Sequence, residues 1–204
     1  MTRLRRLLLA SASPRRKELL AQAGYLCDVI ASGIAEIPYP GEAPDAYCAR
    51  NAREKALDVA KSRNPLCAGA LVLAADTIVV SPTGSILEKP GDATHARSML
   101  TALSGRTHRV LTGVCIVSGD VGDVLVQEVV TTQVLFRDLS PADIDHYIAS
   151  GEPFDKAGAY GIQGRAARFV RALQGSYTNV VGLPLCEVDL HLRALLGGCE
   201  EAHP

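Results

Sequence analysis

The sequence contains no tryptophan, and aromatic residues make up 4% of its 204 positions. That scarcity argues against a stacking platform for single-stranded nucleic acid or an aromatic-faced RNA-binding sheet. Neither sign of charge is in excess: 21 Lys and Arg against 22 Asp and Glu give a formal net charge of −1. No global field therefore draws the chain to nucleic acid or to an anionic membrane, and any anion site has to be built locally. No stretch approaches the roughly 20 apolar residues of a membrane span. The apolar run at residues 7–10 is too short for the hydrophobic part of a leader, and Pro14, Arg15, Arg16 and Lys17 follow it closely. A soluble, cytoplasmic protein is expected, with neither nucleic acid nor membrane as a partner. The cysteines (Cys27, Cys48, Cys67, Cys115, Cys186 and Cys199) include no CxxC pair and no zinc-finger spacing with histidine. They read as reduced, mostly buried thiols in a chain too core-rich to need disulfide staples. The five histidines form no HExxH and no triad pattern, so none is assigned a role.

What is present is a globular composition, 48% hydrophobic and 21% charged. A chain of this length buries roughly 70% of its unfolded surface. No repeat, low-complexity tract or long linker divides it, which predicts one domain over residues 1–204, with two lobes around a cleft. Residues 4–10 suit a buried strand. Ser13 then offers an N-cap oxygen, Pro14 the first helical position, and a helix over 15–23 closes at Gly24. A strand is predicted over 26–31, a loop over 32–44 and a long helix over 45–63. Residues 70–80 form a strand interrupted by Asp76, and after a turn at 81–84 the chain returns over 86–89. A helix over 92–103 precedes two β-branched runs, 109–117 and 124–136, that read as an antiparallel pair. A helix beginning at Ser140-Pro141 and ended by Gly151, a strand over 169–173 and a helix over 184–196 complete the chain. Helices alternating with strands around an antiparallel pair predict an α/β fold, a mixed twisted sheet flanked by helices.

Three segments carry chemistry. Ser11-Ala12-Ser13-Pro14-Arg15-Arg16 lies between strand and helix, where unpaired N–H groups and the helix dipole favour an anion. A capped helix with solvated arginines accounts for Ser13 and Pro14. It gives no reason for two guanidiniums at the unfavourable end of the dipole, so phosphate binding is preferred. Asp76 stands in Ala74-Ala75-Asp76-Thr77-Ile78, too apolar a run to bury a carboxylate without partners. Functional carboxylates often sit at a strand end facing a ligand crevice, although an Asp at a bend can also satisfy its own backbone. The following turn can bring Lys89 back towards Asp76. Residues 155–164 hold three glycines that let the backbone approach a ligand, and Gln163, whose amide both donates and accepts, suits a base edge. A plain glycine-rich turn is an equal reading of that segment. Glu36, in a Pro/Gly loop, and Lys55, on the long helix, read more readily as solvated side chains.

Four motifs in order make the chain resemble a known family. SASPRR (11–16), AADTIVV followed by LEKP (74–90), SGEPFDKAGAYGIQG (150–164) and GSYTNVVGLPL (175–185) are similar to the Maf family of nucleotide pyrophosphatases. The resemblance runs from Leu7 to about Leu192. It implies a mixed α/β fold with a long cleft, shared with inosine-triphosphate-type pyrophosphatases. It also implies cleavage of a nucleoside triphosphate between its α- and β-phosphates, with a divalent cation, Mg²⁺ or Mn²⁺. The family's essential acid, described as a proton acceptor, falls on Asp76. Its anion-binding positions fall on Ser13, Arg15, Arg16, Lys55 and Lys89, its loop acid on Glu36, and an acid–lysine pair on Asp155 and Lys156. Glu36 and Asp76 are the implied metal ligands, and whether Asp76 takes a proton or holds the ion is left open. Arg15, Thr77 and Gln163 match the subgroup acting on dTTP and UTP; the subgroup acting on 7-methyl-GTP carries Trp in the first motif and Glu in the last. Ala35 departs from the pattern, since the position before the loop acid is often acidic, and this bears on how many carboxylates hold the metal. A homodimer goes with the resemblance. The rival function, suggested by the family's older description as septum-formation inhibitors, is a nucleotide-binding regulator of division acting through partners.

Overall fold

Largely continuous apolar runs build the central strands of one seven-stranded sheet, and segments between strands wind into helices over both of its faces. In the computed structural model, which describes residues 6–62 and 64–196, the order is β1 (Leu7–Leu9), α1 (Pro14–Gln22), β2 (Asp28–Val29), α2 (Pro44–Lys61), β3 (Leu71–Val80), β4 (Ile86–Leu87), α3 (Ala93–Leu103), β5 (Thr107–Ser118), β6 (Val124–Phe136), α4 (Pro141–Ala149), β7 (Val170–Gln174), α5 (Tyr177–Val181) and α6 (Leu185–Leu196). The strands lie in the order β2-β1-β3-β5-β6-β7, with β4 paired to the far end of β3. β1 runs parallel to β2 and β3, and the remaining pairings are antiparallel. The mixed sheet expected from the sequence is present.

Strand β3 is buried on both faces, which is why it reads as a continuous apolar run rather than an alternation. Leu71, Leu73, Ala75 and Val79 enter the larger core with Leu100, Tyr147 and Leu192 from α3, α4 and α6. Val72 and Ala74 point the other way, onto Ala52, Ala56 and Val59 of α2. Ile78 and Val80 continue that second row against Tyr47 and Cys48. By parity, Asp76 points towards α2.

Gly113 sets how closely α2 approaches. It pairs with Asp76 across β3 and β5, and a Cβ there would lie 2.4 Å from the Cys48 carbonyl oxygen. Backbone cannot yield as a side-chain tip can, so Gly113→Ala is expected to lower stability by about 1–3 kcal/mol and to lift α2 from the sheet. Urea denaturation checks this; an unchanged midpoint would show that α2 tolerates the methyl group.

The helix starts are capped in more than one way. Ser140 and Asp143 form a reciprocal capping box at α4, and Asp92 caps α3 through His95 N–H. Ser13 occupies the N-cap of α1, but its side chain makes no cap hydrogen bond; its own N–H instead donates to Ser11 Oγ at 3.2 Å. The strand predicted over 26–31 shrinks to Asp28–Val29, because β1 offers it Leu8 and Leu9 as partners. Residues 155–164 fold partly into short 3-10 turns, and α5, capped by Ser176, is an element the sequence reading lacked. Cys27, Cys48, Cys67, Cys115 and Cys186 are free thiols, three of them buried. Leu4, Arg63 and Cys199 lie outside the described residues. No helix among the described residues is long and apolar enough to cross a membrane.

Candidate active site

The opening in the sheet follows from the shortness of β1. Its last pairing is Leu9 with Leu73, followed by one bond from Ala10 N–H to the Leu73 carbonyl. β4 resumes beside β3 at Val79. Between those points the edge of β3 has no neighbouring strand among the described residues, and a cavity of about 490 Å³ lies there. This is the crevice beyond the carboxyl end of a parallel strand, where α/β sheets hold ligands. Its walls are the β1–α1 turn, the edge of β3, residues 155–164 and the chain around Gly182. All eleven residues singled out from the sequence line it: Ser13, Arg15, Arg16, Glu36, Lys55, Asp76, Thr77, Lys89, Asp155, Lys156 and Gln163.

Asp76 lies neither at a strand end nor at a bend. It is buried in the middle of β3, 3% exposed, and one face of α2 supplies its partners. Lys55 Nζ donates to Oδ1 at 2.5 Å and Asn51 Nδ2 to Oδ2 at 3.2 Å. The Cys48 thiol donates to the Asp76 main-chain carbonyl at 3.1 Å and accepts from Gly113 N–H at 2.9 Å. Burial, and then the charge of Asp76, push that thiol up to about 12, so it stays protonated and inert.

Lys55 corrects the solvated reading. Its side chain is 11% exposed, and its ammonium also pairs with Glu36 Oε1 at 2.7 Å. One cation thus joins a buried acid to an acid on the long loop. That loop is strapped to α2: Tyr47 Oη donates to the Glu36 carbonyl, and Arg50 to the Ile37 carbonyl and to Glu42.

Across the cavity, Arg16 is more committed to the protein than the phosphate-binding expectation suggested. Its Nε donates to the Gly182 carbonyl at 2.8 Å, Nη1 to Ser11 Oγ at 3.0 Å and Nη2 to Thr77 Oγ1 at 3.2 Å. Three of its five N–H groups are therefore taken. Desolvation lowers its pKa, opposed by Asp76 and Glu36. Thr77 shares its hydroxyl with Thr112 Oγ1 at 2.9 Å. Arg15 Nη1 lies 3.7 Å from Asp155 Oδ2. Desolvation would raise the pKa of Asp155, but the hydrogen bond from Lys156 and the charges of Lys156 and Arg15 bring it below the usual carboxylate value. Lys156 also donates to the Glu152 carbonyl and lies across Gly161, where a Cβ would meet its Cε at 2.5 Å. Gln163 is exposed at the rim, and Lys89 reaches the cavity from the segment after β4. The sequence reading missed Cys48, Asn51, Thr112 and Gly182. A signal existed for two of them: Cys48 and Asn51 stand seven and four residues before Lys55, on one helical face.

Five cationic side chains (Arg15, Arg16, Lys55, Lys89 and Lys156) and the buried Asp76 thus line one cavity in the sheet of an α/β protein. The chain belongs to the Maf-like protein family, which it matches over residues 6–195. It is 50% identical over 190 residues to the dTTP/UTP pyrophosphatase of Geobacter sulfurreducens, covering 93% of this chain and 96% of that one. It is 53% identical over 184 residues to the dTTP/UTP pyrophosphatase of Pectobacterium atrosepticum (90% and 89% covered). The protein of the same description from Escherichia coli O157:H7 is 52% identical over 183 residues (89% and 88% covered). Among solved structures, a HAM1 protein from Coxiella burnetii aligns with 65% of this chain and 73% of its own, at 16% identity and a TM-score of 0.44.

Proposed function

We propose that the protein hydrolyses nucleoside triphosphates, dTTP and UTP foremost, to the monophosphate and pyrophosphate. The observation that carries this reading is the Glu36–Lys55–Asp76 bridge on one wall of a cavity whose other walls present Arg15, Arg16, Lys89 and Lys156. The unpaired N–H groups at the start of α1, with Ser13, Arg15 and Lys89, hold phosphate oxygens. Arg16 has two N–H groups left for the same task. In this reading Asp76, held by Lys55 and Asn51, orients the attacking water and takes its proton. Lys55 and Lys89 offset the charge that develops on the departing pyrophosphate.

The donor set fits a hard divalent cation. No group of three His, Cys, Asp or Glu gathers among the described residues, but Mg²⁺ is characteristically held by one or two carboxylates together with the substrate's phosphates. Asp76 and Glu36 are the carboxylates that would hold it. When bound, it neutralises phosphate charge as a Lewis acid. A cytoplasmic location goes with a nucleotide substrate.

Gln163 supplies the base preference in this reading: its amide accepts from a uracil or thymine N3–H while donating to O4. The test is to supply purified protein with Mg²⁺ and a panel of nucleoside triphosphates and to measure pyrophosphate. Release from UTP and dTTP is expected; binding without release would favour the septation regulator. In the same assay Gln163→Glu should reduce kcat/KM for UTP and dTTP by roughly 10- to 100-fold, the effect of an unpaired or repelled polar contact of about 1–3 kcal/mol. Its Tm should hold, since the side chain is at the rim. An unchanged preference would remove Gln163 from base recognition.

A further inference from the structure

The face that α2 turns to the sheet should be apolar throughout, and most of it is: Ala52, Ala56 and Val59 are buried there against β1, β3 and β5. Asn51 breaks the rule. It is fully buried, and its Oδ1 meets no hydrogen-bond donor among the described residues. A buried amide with an unpaired acceptor destabilises a fold, whereas an aliphatic side chain of similar size carries no such penalty. Packing therefore gives no reason for Asn at this position.

The other end of the side chain supplies one. Asn51 Nδ2 donates to Asp76 Oδ2, with the Tyr47 hydroxyl as a further neighbour of the amide, while Lys55, one turn along, takes Oδ1. Three residues before Asn51, Cys48 takes the Asp76 main-chain carbonyl. One helical stripe thus grips the acid at three atoms. With one contact on each carboxylate oxygen, the carboxylate plane is fixed and lone pairs remain on both oxygens. Lys55 alone would leave the group free to turn about its Cβ–Cγ bond, because that torsion is broad.

Resting on the pyrophosphatase reading above, we propose that Asn51 is a positioning residue of the reaction: it fixes the plane of the Asp76 carboxylate so that its open lone pairs face the triphosphate. It touches no substrate and acts through Asp76. An unpaired Oδ1 is tolerated because the opposite end of the amide is needed.

Asn51→Leu separates this role from a structural one. The substitution removes the donor to Asp76 and the unpaired acceptor together. With UTP and Mg²⁺, kcat should fall at least tenfold, with KM within twofold of the wild type and Tm within a few degrees or higher. Should the leucine variant not fold, Asn51→Ser, too short to reach Oδ2, is read in the same way and should show the same split between kcat and KM. A folded variant whose kcat lies within twofold of the wild type overturns the proposal. So does a kcat loss that merely follows the fraction unfolded. Wild-type protein run alongside distinguishes the two levels: no pyrophosphate from the wild type sinks the pyrophosphatase reading itself, whereas an active wild type and an equally active Asn51→Leu sink the role of Asn51.

Discussion

Asp76→Asn is expected to remove most pyrophosphate release from UTP, by roughly 10²- to 10⁴-fold in kcat, the usual contribution of a positioned acid–base group. The substitution is nearly isosteric, so the packing between β3 and α2 has no reason to change. What it removes is the charge. An amide can neither take a proton from water nor serve as an anionic ligand to a divalent ion, so activity falls whichever of these Asp76 performs. Stability should suffer less. Lys55 keeps Glu36 at 2.7 Å, so its ammonium is not orphaned, and a drop in Tm of a few degrees is the scale for a loss of about 1–2 kcal/mol in a chain of this size. Stopped or continuous pyrophosphate assays beside thermal unfolding give both numbers. Near-normal turnover by a folded Asp76→Asn protein would defeat the assignment of the site, whatever the family resemblance.

The sequence was a better guide to which residues line the cavity than to their contacts. Asp76 was legible because a carboxylate in the apolar run of β3 has few explanations. Arg15, Arg16, Lys89 and Gln163 were legible because loops and helix starts carry binding groups while the sheet supplies rigidity; Asp155 and Lys156 came from the family resemblance alone. Glu36 and Lys55 looked solvated for a statistical reason: most lysines and glutamates on helices and loops are. Arg50, Arg53 and Glu54 surround Lys55 in sequence and hide the stripe of Cys48, Asn51 and Lys55 that faces the sheet. Nor could local sequence anticipate that Arg16 would spend a hydrogen bond on the Gly182 carbonyl, 166 residues away. The five residues of α5 are too few to show a helical period, so its traces were Ser176 at one end and Gly182 at the other. The overlong second strand failed because propensity says nothing about how much of β1 is available to pair with it.

Lys55→Met carries the largest expected effect on stability. Methionine replaces the lysine stem at similar volume, so little packing is lost, and what changes is the charge balance around Asp76. The Asp76 side chain is 4% exposed, and without Lys55 its remaining side-chain partner in this cluster is the Asn51 amide. A buried charge stripped of its counter-ion costs about 3–5 kcal/mol, which at this chain length corresponds to a Tm lower by roughly 10 °C. Glu36 loses its anchor as well, and hydrolysis should fall with it. The origin of the loss can be tested by adding Asp76→Asn to Lys55→Met. If the unpaired carboxylate is the cause, neutralising it should return about 2 kcal/mol, making the double variant more stable than the Lys55→Met single variant. Urea unfolding of wild type, both single variants and the double variant closes the cycle. Should the two losses simply add, the ammonium and the carboxylate are not coupled in the folded protein, and the bridge from Glu36 through Lys55 to Asp76 cannot be what holds the acid in place.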